Sequence, residues 1–106
     1  MKEFKKELYY KGNLVKVVLS TYSYNKTDAI MLLDEEGLIE ATATICLDDV
    51  PKDHVAIKDY SENSGIYDWL LNNDIIYSEI GKITTGYAKC PIVKIKYENF
   101  IDVEDK

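Results

Sequence analysis

The chain has 106 residues, of which 46% are hydrophobic and 30% charged, a composition that fits one folded domain and excludes a disordered chain. Its formal net charge is −6, and all thirteen basic residues are lysines. Because arginine is the preferred side chain for bidentate contact with phosphates and guanine edges, this composition argues against direct nucleic-acid binding.

Much of the first half of the chain alternates apolar and polar residues with a period of two, which is typical of strands with one buried face, while Ala29 to Leu33 is a short apolar run. The predicted strands, in order, are Glu7 to Lys11, Leu14 to Tyr22, Ala29 to Leu33 and Leu38 to Leu47. The predicted turns between them are Gly12-Asn13, Asn25 to Asp28 and Asp34 to Gly37. We therefore expect a meander of antiparallel strands.

The second half contains one predicted helix between strands. A break at residues 48–53 leads into a strand from His54 to Asp59. N-cap residues then begin a helix of about ten residues that ends at Asn72-Asn73. The last predicted strands are Ile75 to Ile83 in part, Tyr87 to Cys90 and Ile92 to Tyr97. An acidic tail follows that is expected to fray from about residue 98, with Phe100 and Ile101 as its candidate anchors.

These elements predict a single α+β domain spanning residues 1–106, with a twisted antiparallel sheet of about five to seven strands and one short helix packed on it. A helix of this length does not persist alone in water. Its apolar residues Ile66, Trp69 and Leu70 should therefore pack against the sheet.

Cofactor and metal sites are not predicted. The two cysteines, Cys46 and Cys90, lie in strand-like stretches without a CxxC spacing, so we expect reduced core side chains, although a disulfide between them stays open. His54 is the only imidazole. The longest apolar runs are a few residues, and no secretion signal is evident, which predicts a cytoplasmic protein with no membrane partner.

The charge is unevenly distributed along the chain. Thirteen of the nineteen acidic residues lie between residues 27 and 80, where only two lysines oppose them, so this middle segment carries about −11 of the formal charge. Such a block favours a basic protein partner. We expect the acids of the turns, with exposed tyrosines, to form the partner-binding surface: Asp34, Glu35, Glu36, Asp48, Asp49, Asp53, Tyr22 and Tyr24.

A catalytic alternative rests on His54 with Asp59 or Glu62, as in a small hydrolase. Acids near a helix N-terminus are stabilised by the helix dipole, which explains Glu62 and Asp68 without any ligand. No nucleophile, phosphate loop or calcium loop has the required spacing. We therefore expect a protein that is not an enzyme.

The segment Ile57-Lys58-Asp59-Tyr60-Ser61-Glu62-Asn63-Ser64-Gly65, followed by a short helix and then Thr85 to Val93, resembles a family of small bacterial proteins known only as a domain of unknown function. Members of that family are often carried by phages, plasmids and conjugative elements. The resemblance covers roughly Leu14 to Ile95, but Cys46 stands where the family pattern has Asn. It implies a mobile-element context and supplies no catalytic residue.

Together, charge and resemblance predict a non-enzymatic acidic binding protein of a phage or mobile element. It would inhibit a host defence nuclease or complex, in the manner of an anti-CRISPR or anti-restriction protein, by binding a basic surface of that host protein. The alternative is a structural or regulatory module that self-associates through a sheet edge and has no defence target. The small hydrolase built on His54 is the third possibility.

Overall fold

The computed structural model describes residues 1–86 and 88–103. In chain order the elements are β1 (Lys2–Phe4), β2 (Leu8–Tyr10), β3 (Asn13–Thr21), β4 (Asp28–Leu33), β5 (Ile39–Thr42), β6 (Thr44–Ile45), β7 (His54–Ile57), a 3-10 turn (Ser61–Asn63), α1 (Ile66–Asn72), β8 (Gly81–Thr85), β9 (Ala88–Lys94), a second 3-10 turn (Tyr97–Asn99) and β10 (Phe100–Asp102).

The fold is mostly β, with 47% strand and 13% helix, and its strands form two antiparallel sheets. The first sheet has six strands in the order β10-β1-β3-β4-β5, with β2 paired to β3 as well. The second has four strands in the order β6-β7-β9-β8. The prediction of an α+β domain with one sheet is therefore wrong: the chain is a small β-rich fold, and its helix is a minor element.

The second sheet exists because the predicted strand Leu38 to Leu47 is broken at Ala43. The Ala43 N–H donates to Ile30 O of β4 at 2.8 Å, whereas its carbonyl accepts from Lys58 N, just after β7, at 2.7 Å. The chain before Ala43 thus belongs to the first sheet and the chain after it to the second. Ala43 is fully buried, and a small side chain suits this crossing point.

The core lies between the two sheets and α1. Its fully buried members include Val17, Leu32, Ile57 and Val93 from the sheets, and burial of such side chains contributes about 1.5–3 kcal/mol each. From α1, Ile66 and Leu70 are wholly buried, as predicted.

The helix is shorter than predicted. Gly65, at φ +92°, interrupts the helical path after the 3-10 turn, so α1 begins only at Ile66 and has seven residues. Trp69 is half-buried. Its indole N–H donates to Tyr9 O at 2.9 Å, and its ring meets Tyr10 edge-on at 5.1 Å between centroids. These contacts fasten α1 to the first sheet.

Several predicted strands differ in extent. The prediction of separate strands on either side of Pro91 is wrong, because β9 is continuous through it; β7 pairs only with Ile92–Lys94, so the missing N–H of Pro91 lies outside that ladder. Of the stretch Ile75 to Ile83, only Gly81 onward forms a strand, preceded by a single bridge between Ile76 and Ile95.

The strands at the two ends of the chain, β1 and β10, are not among the predicted strands. The strand β1 has no counterpart in the predictions, and it pairs with β10 in a tail that was expected to fray. Phe100 anchors that tail, since its ring meets Phe4 edge-on at 5.4 Å. Residues 104–106, the remainder of the predicted frayed tail, lie outside the described residues, as does Tyr87.

The free edge of β5 is covered by Asn63. Since the Ala43 N–H points at β4, alternation of the ladder turns the Thr42 carbonyl away from β4. There it accepts from the side-chain amide of Asn63 at 2.7 Å. Asn63 itself is only 3% exposed, so this bond is shielded from water.

We predict that Asn63→Ala lowers the free energy of unfolding by about 1–3 kcal/mol, because it leaves the Thr42 carbonyl without this partner. Chemical denaturation measures the change. Asn72→Ala, at an exposed position of α1, is the matched control and should change stability by less than about 0.5 kcal/mol. Equal effects of the two substitutions would contradict the assignment.

Candidate functional site

A groove of about 520 Å³ lies where the β2–β3 hairpin and the β4–β5 turn meet. We call it the acidic groove. It is lined by Tyr9, Gly12, Asn13, Leu14, Asp34, Glu35, Glu36 and Glu40. Three of the predicted partner-binding acids, Asp34, Glu35 and Glu36, are thus brought together with a fourth carboxylate, Glu40, that was not predicted.

Local sequence fixes both walls of the groove. Lys11 and Gly12 have φ values of +50° and +83°, and the pairing of Tyr10 with Asn13 closes a two-residue hairpin around them. In the opposite wall, an Asp34 carboxylate oxygen accepts from the N–H groups of Glu36 and Leu38 at 2.9 Å each. Asp34 therefore shapes the turn, which leaves Glu35 and Glu36 to face solvent.

A hydrogen bond ties the two walls together across the groove. The Asn13 side-chain amide donates to Glu40 Oε1 at 3.0 Å. The β4–β5 ladder shifts register between Leu32 and Leu33, which leaves Glu40 unpaired at this bulge and beside Asn13. The walls of the groove are therefore held by hairpin geometry and by side chains.

No described lysine forms a salt bridge with a carboxylate of the groove. Five salt bridges connect described residues, and none involves Asp34, Glu35, Glu36 or Glu40. These carboxylates lie within one concave surface next to Tyr9, whose side chain is 70% exposed. Carboxylates attract lysine and arginine, and the face of a tyrosine ring adds a cation–π site for the same groups.

The remaining predicted residues lie at the opposite end of the first sheet. β4 separates Asp34 from the loop that holds Tyr22 and Tyr24, and six residues of strand span about 17 Å. Asp48 accepts from the Asn25 side chain of that loop at 3.1 Å, so it lies at the same end. The expected single surface is therefore divided into two groups.

The members of the distant group differ in exposure. The Tyr22 hydroxyl is hydrogen-bonded to Thr44 Oγ1 at 2.9 Å, and burial raises its pKa above the ordinary range. Tyr24 is 79% exposed, and Asp49 and Asp53 are also exposed. Tyr22 is thus a structural side chain in this geometry, whereas the other three are open to solvent.

Asp28, at the start of β4, is engaged internally. Its carboxylate accepts a short hydrogen bond from the Tyr97 hydroxyl, across 69 positions of sequence. Burial and then the Asp28 carboxylate raise the pKa of Tyr97 well above its ordinary range. This contact joins the last segment of the chain to β4.

The hydrolase residues are not gathered into one site. His54 begins β7 and its Nδ1 contacts Lys52 O at 2.9 Å, while Asp59 follows the other end of that strand, about 10 Å or more along the chain. Asp59 Oδ1 accepts from Gly65 N at 2.9 Å, and Glu62 pairs with Lys58 at 2.7 Å. Each side chain has a separate partner.

The segment that carries the family resemblance makes internal contacts. Asp59 accepts from the N–H groups of Gly65 and Tyr67 at the start of α1, Asn63 covers the β5 edge, and Gly65 adopts a left-handed conformation. Lys58 lies 5.7 Å from the centre of the Tyr60 ring. These residue types therefore have folding roles here.

Two groove residues that sequence reasoning missed had a usable signal. Tyr10 is buried against Trp69, and strand alternation then turns Tyr9 outward. The period of two places Glu40 on the polar face of the predicted strand Leu38 to Leu47, close in sequence to the turn acids. Asn13 was assigned only to a turn, and no sequence signal indicated its contact with Glu40.

Within the described part of the chain, no three His, Cys, Asp or Glu side chains are placed to hold a metal ion. Cys46 and Cys90 are both free thiols, the first half-buried and the second buried. Over the same residues, no helix has the length and apolar character needed to cross a membrane.

Comparison with family models, curated proteins and solved structures finds no match to this chain. The acidic groove is therefore interpreted from its own chemistry.

We predict that the free energy of unfolding falls as pH rises above about 10, because the folded state holds the Tyr97 proton more tightly than the unfolded chain does. Tyr97→Phe should cost about 1.5 kcal/mol at pH 7 through the lost bond to Asp28, and should reduce this alkaline loss. Denaturation curves from pH 7 to 11 test both effects. Tyr24→Phe, at an exposed ring, is the control and should show the same dependence of the free energy of unfolding on pH as the unmodified protein. If Tyr97→Phe lost as much free energy of unfolding between pH 7 and 11 as the unmodified protein does, the prediction would be contradicted.

Proposed function

We propose that this chain is a non-enzymatic binding protein that captures a basic segment of a partner protein in its acidic groove. The observation that carries the proposal is the set of four carboxylates in one concave surface without a salt bridge to any described lysine. Carboxylates without an ion-pair partner make favourable contacts with a lysine or arginine side chain. The exposed Tyr9 ring supports the same choice of partner.

The partner class follows from charge. A net charge of −6 repels nucleic acid and attracts cationic protein surfaces, and it accelerates their association at low ionic strength. Proteins that bind nucleic acid carry such basic surfaces. We therefore propose a nucleic-acid-binding host protein as the target, with no direct contact between this chain and nucleic acid.

The biological setting rests on the resemblance of the Ile57 to Gly65 segment to phage and mobile-element proteins. A small acidic protein in that setting is suited to block a defence nuclease by occupying its nucleic-acid groove. We propose an anti-CRISPR or anti-restriction role in the bacterial cytoplasm. The groove would then compete with the phosphates that the nuclease ordinarily binds.

A self-associating module is the second candidate. It is favoured by β8, which is the outer strand of the second sheet and follows Ile80, a side chain 64% exposed. An unpaired strand edge of five residues can pair with a second copy. Size-exclusion chromatography with light scattering over a concentration series would detect such a dimer, and Ile83→Pro in β8 should abolish it.

We predict that expression of the protein restores phage plating on bacterial strains that restrict the phage with a CRISPR or restriction nuclease. The groove triple variant, Glu35→Gln, Glu36→Gln and Glu40→Gln, should lose at least about tenfold of this effect, because three charge contacts are removed. Asp34 is kept, since it shapes the turn.

The matched control is the distal triple variant, Asp48→Asn, Asp49→Asn and Asp53→Asn, which changes the net charge equally at exposed sites at the opposite end of the first sheet. It should retain the activity of the unmodified protein. Circular dichroism and thermal unfolding verify that both variants are folded. If the protein restored phage plating in none of the strains, the defence role would be contradicted. An equal loss of activity in both triple variants would show that net charge, and not the groove, is responsible.

A further inference from the structure

The first sheet has a second face, opposite the core. Directly paired residues of neighbouring strands share a face, and the register places Ile101, Glu3, Val18, Met31 and Thr42 in one row across five strands. None of the five belongs to the core cluster, whereas the residues adjacent to them in sequence, such as Val17 and Leu32, do. This row therefore lies on the outer side of the sheet.

Two more rows extend the outer face toward the acidic groove. Lys16, Leu33 and Ile39 form the next row, and Tyr9 faces Leu14 beyond it. Lys16 pairs with Glu3 at 3.7 Å, so its charge is compensated within the face. Apart from this ion pair and Thr42, the three rows present apolar or aromatic side chains.

The apolar residues at the margins of this face are open to solvent. Ile39 is 62% exposed and Ile101 57% exposed, while Val18 at the centre is 3% exposed. Ile39 in β5 and Ile101 in β10 are thus exposed apolar side chains at opposite edges of one face, and exposed apolar surface is typical of interaction sites.

The outer face runs into the acidic groove without a break. Tyr9 and Leu14 line the groove and also form the last row of the face. Beyond them stand Glu35 and Glu36, which carry no salt bridge to a described residue. One surface thus combines an apolar area with an uncompensated acidic end.

We propose that this surface binds an amphipathic helix of the partner protein, with an apolar stripe on the outer face and lysine or arginine at the end that reaches the acidic groove. The inference rests on the proposed function and adds the form of the partner segment to it. Along β3 the outer face runs roughly 13 Å from Val18 to Leu14, and the acidic groove lies beyond Leu14, so a helix of about 13 residues, about 19 Å long, extends from the apolar rows into the groove. Charge complementarity fixes the orientation of that helix.

An extended strand is a poorer occupant than a helix. Added strands pair with a sheet edge, and on the β5 side the Thr42 carbonyl is already bonded to Asn63. The bulge at Leu33 also distorts this edge. The open face, in contrast, offers the surface on which helices commonly pack against sheets.

A second copy of the chain lacks the required charge. Each copy carries a net −6, and this surface ends in four carboxylates that form no salt bridge with a described lysine. Stacking two such faces would bring excess negative charge of both copies together. Self-association through this face is therefore an outcome that would overturn the proposal.

The test uses three labelled peptides of about 14 residues with identical composition of leucine, alanine and lysine. The first places leucines along one helical side and lysines at one end, the second has the leucines scrambled around the helix, and the third has the lysines scattered. Fluorescence anisotropy with the whole protein should show binding of the first about tenfold tighter than of either other peptide. Amide chemical shifts should change along β3, β4 and β5.

Two sets of variants separate the apolar from the acidic contribution. Ile39→Thr with Ile101→Thr should weaken binding of the first peptide about tenfold and leave the scrambled peptides unaffected. Ile80→Thr with Tyr24→Ser, at exposed apolar positions away from this surface, is the matched control and should bind the first peptide normally.

The outcomes are distinguishable. Equal binding of the amphipathic and leucine-scrambled peptides, both weakened by the groove triple variant, would overturn this inference and leave the proposed acidic groove standing. Equal binding of the first peptide to the unmodified protein and to the groove triple variant would overturn the acidic groove as a binding site. A dimer that dissociates on Ile39→Thr with Ile101→Thr would assign the face to a second copy and also overturn the inference.

Discussion

The architecture depends on the two backbone hydrogen bonds of Ala43. Its N–H is bonded to β4 and its carbonyl to the residue after β7, so one peptide position belongs to both sheets. From this crossing the core between the sheets follows, as does the outward direction of the Thr42 carbonyl that Asn63 occupies. A larger side chain at position 43 would have to displace the core residues that meet there.

The sequence predicted β2, β3 and β4 within one or two residues, because β3 follows the period of two and β4 is a short apolar run between turn residues. The break at Ala43 could not be predicted, since alternation continues through it and the change concerns backbone direction only. The same holds for β1 and β10, whose pairing joins the two ends of the chain and leaves no local signal. The predicted α+β architecture with one sheet is wrong because neither the break at Ala43 nor the pairing of the two chain ends has a local sequence signal.

The sequence likewise predicts local features of the candidate site but not which of them come together in space. The turn acids were identified from local sequence, because Asp34 to Gly37 has the composition of a hairpin turn. Whether two turns lie together depends on the direction of the strands between them, and β4 carries the Asp34 turn to one end and the Tyr24 loop to the other. Individual acids also differ in role: Asp28 and Asp59 hold the fold, and Glu35 and Glu36 face solvent.

Trp69 connects the helix to the candidate site, since its indole N–H holds the carbonyl of Tyr9 and its ring lies against Tyr10. It is the single tryptophan of the chain. Indole emission is sensitive to hydrogen bonding and to local polarity, and this fluorophore lies directly behind the strand that forms one wall of the groove. The protein thus contains an intrinsic optical reporter, so that occupancy of the groove could be followed without any attached label.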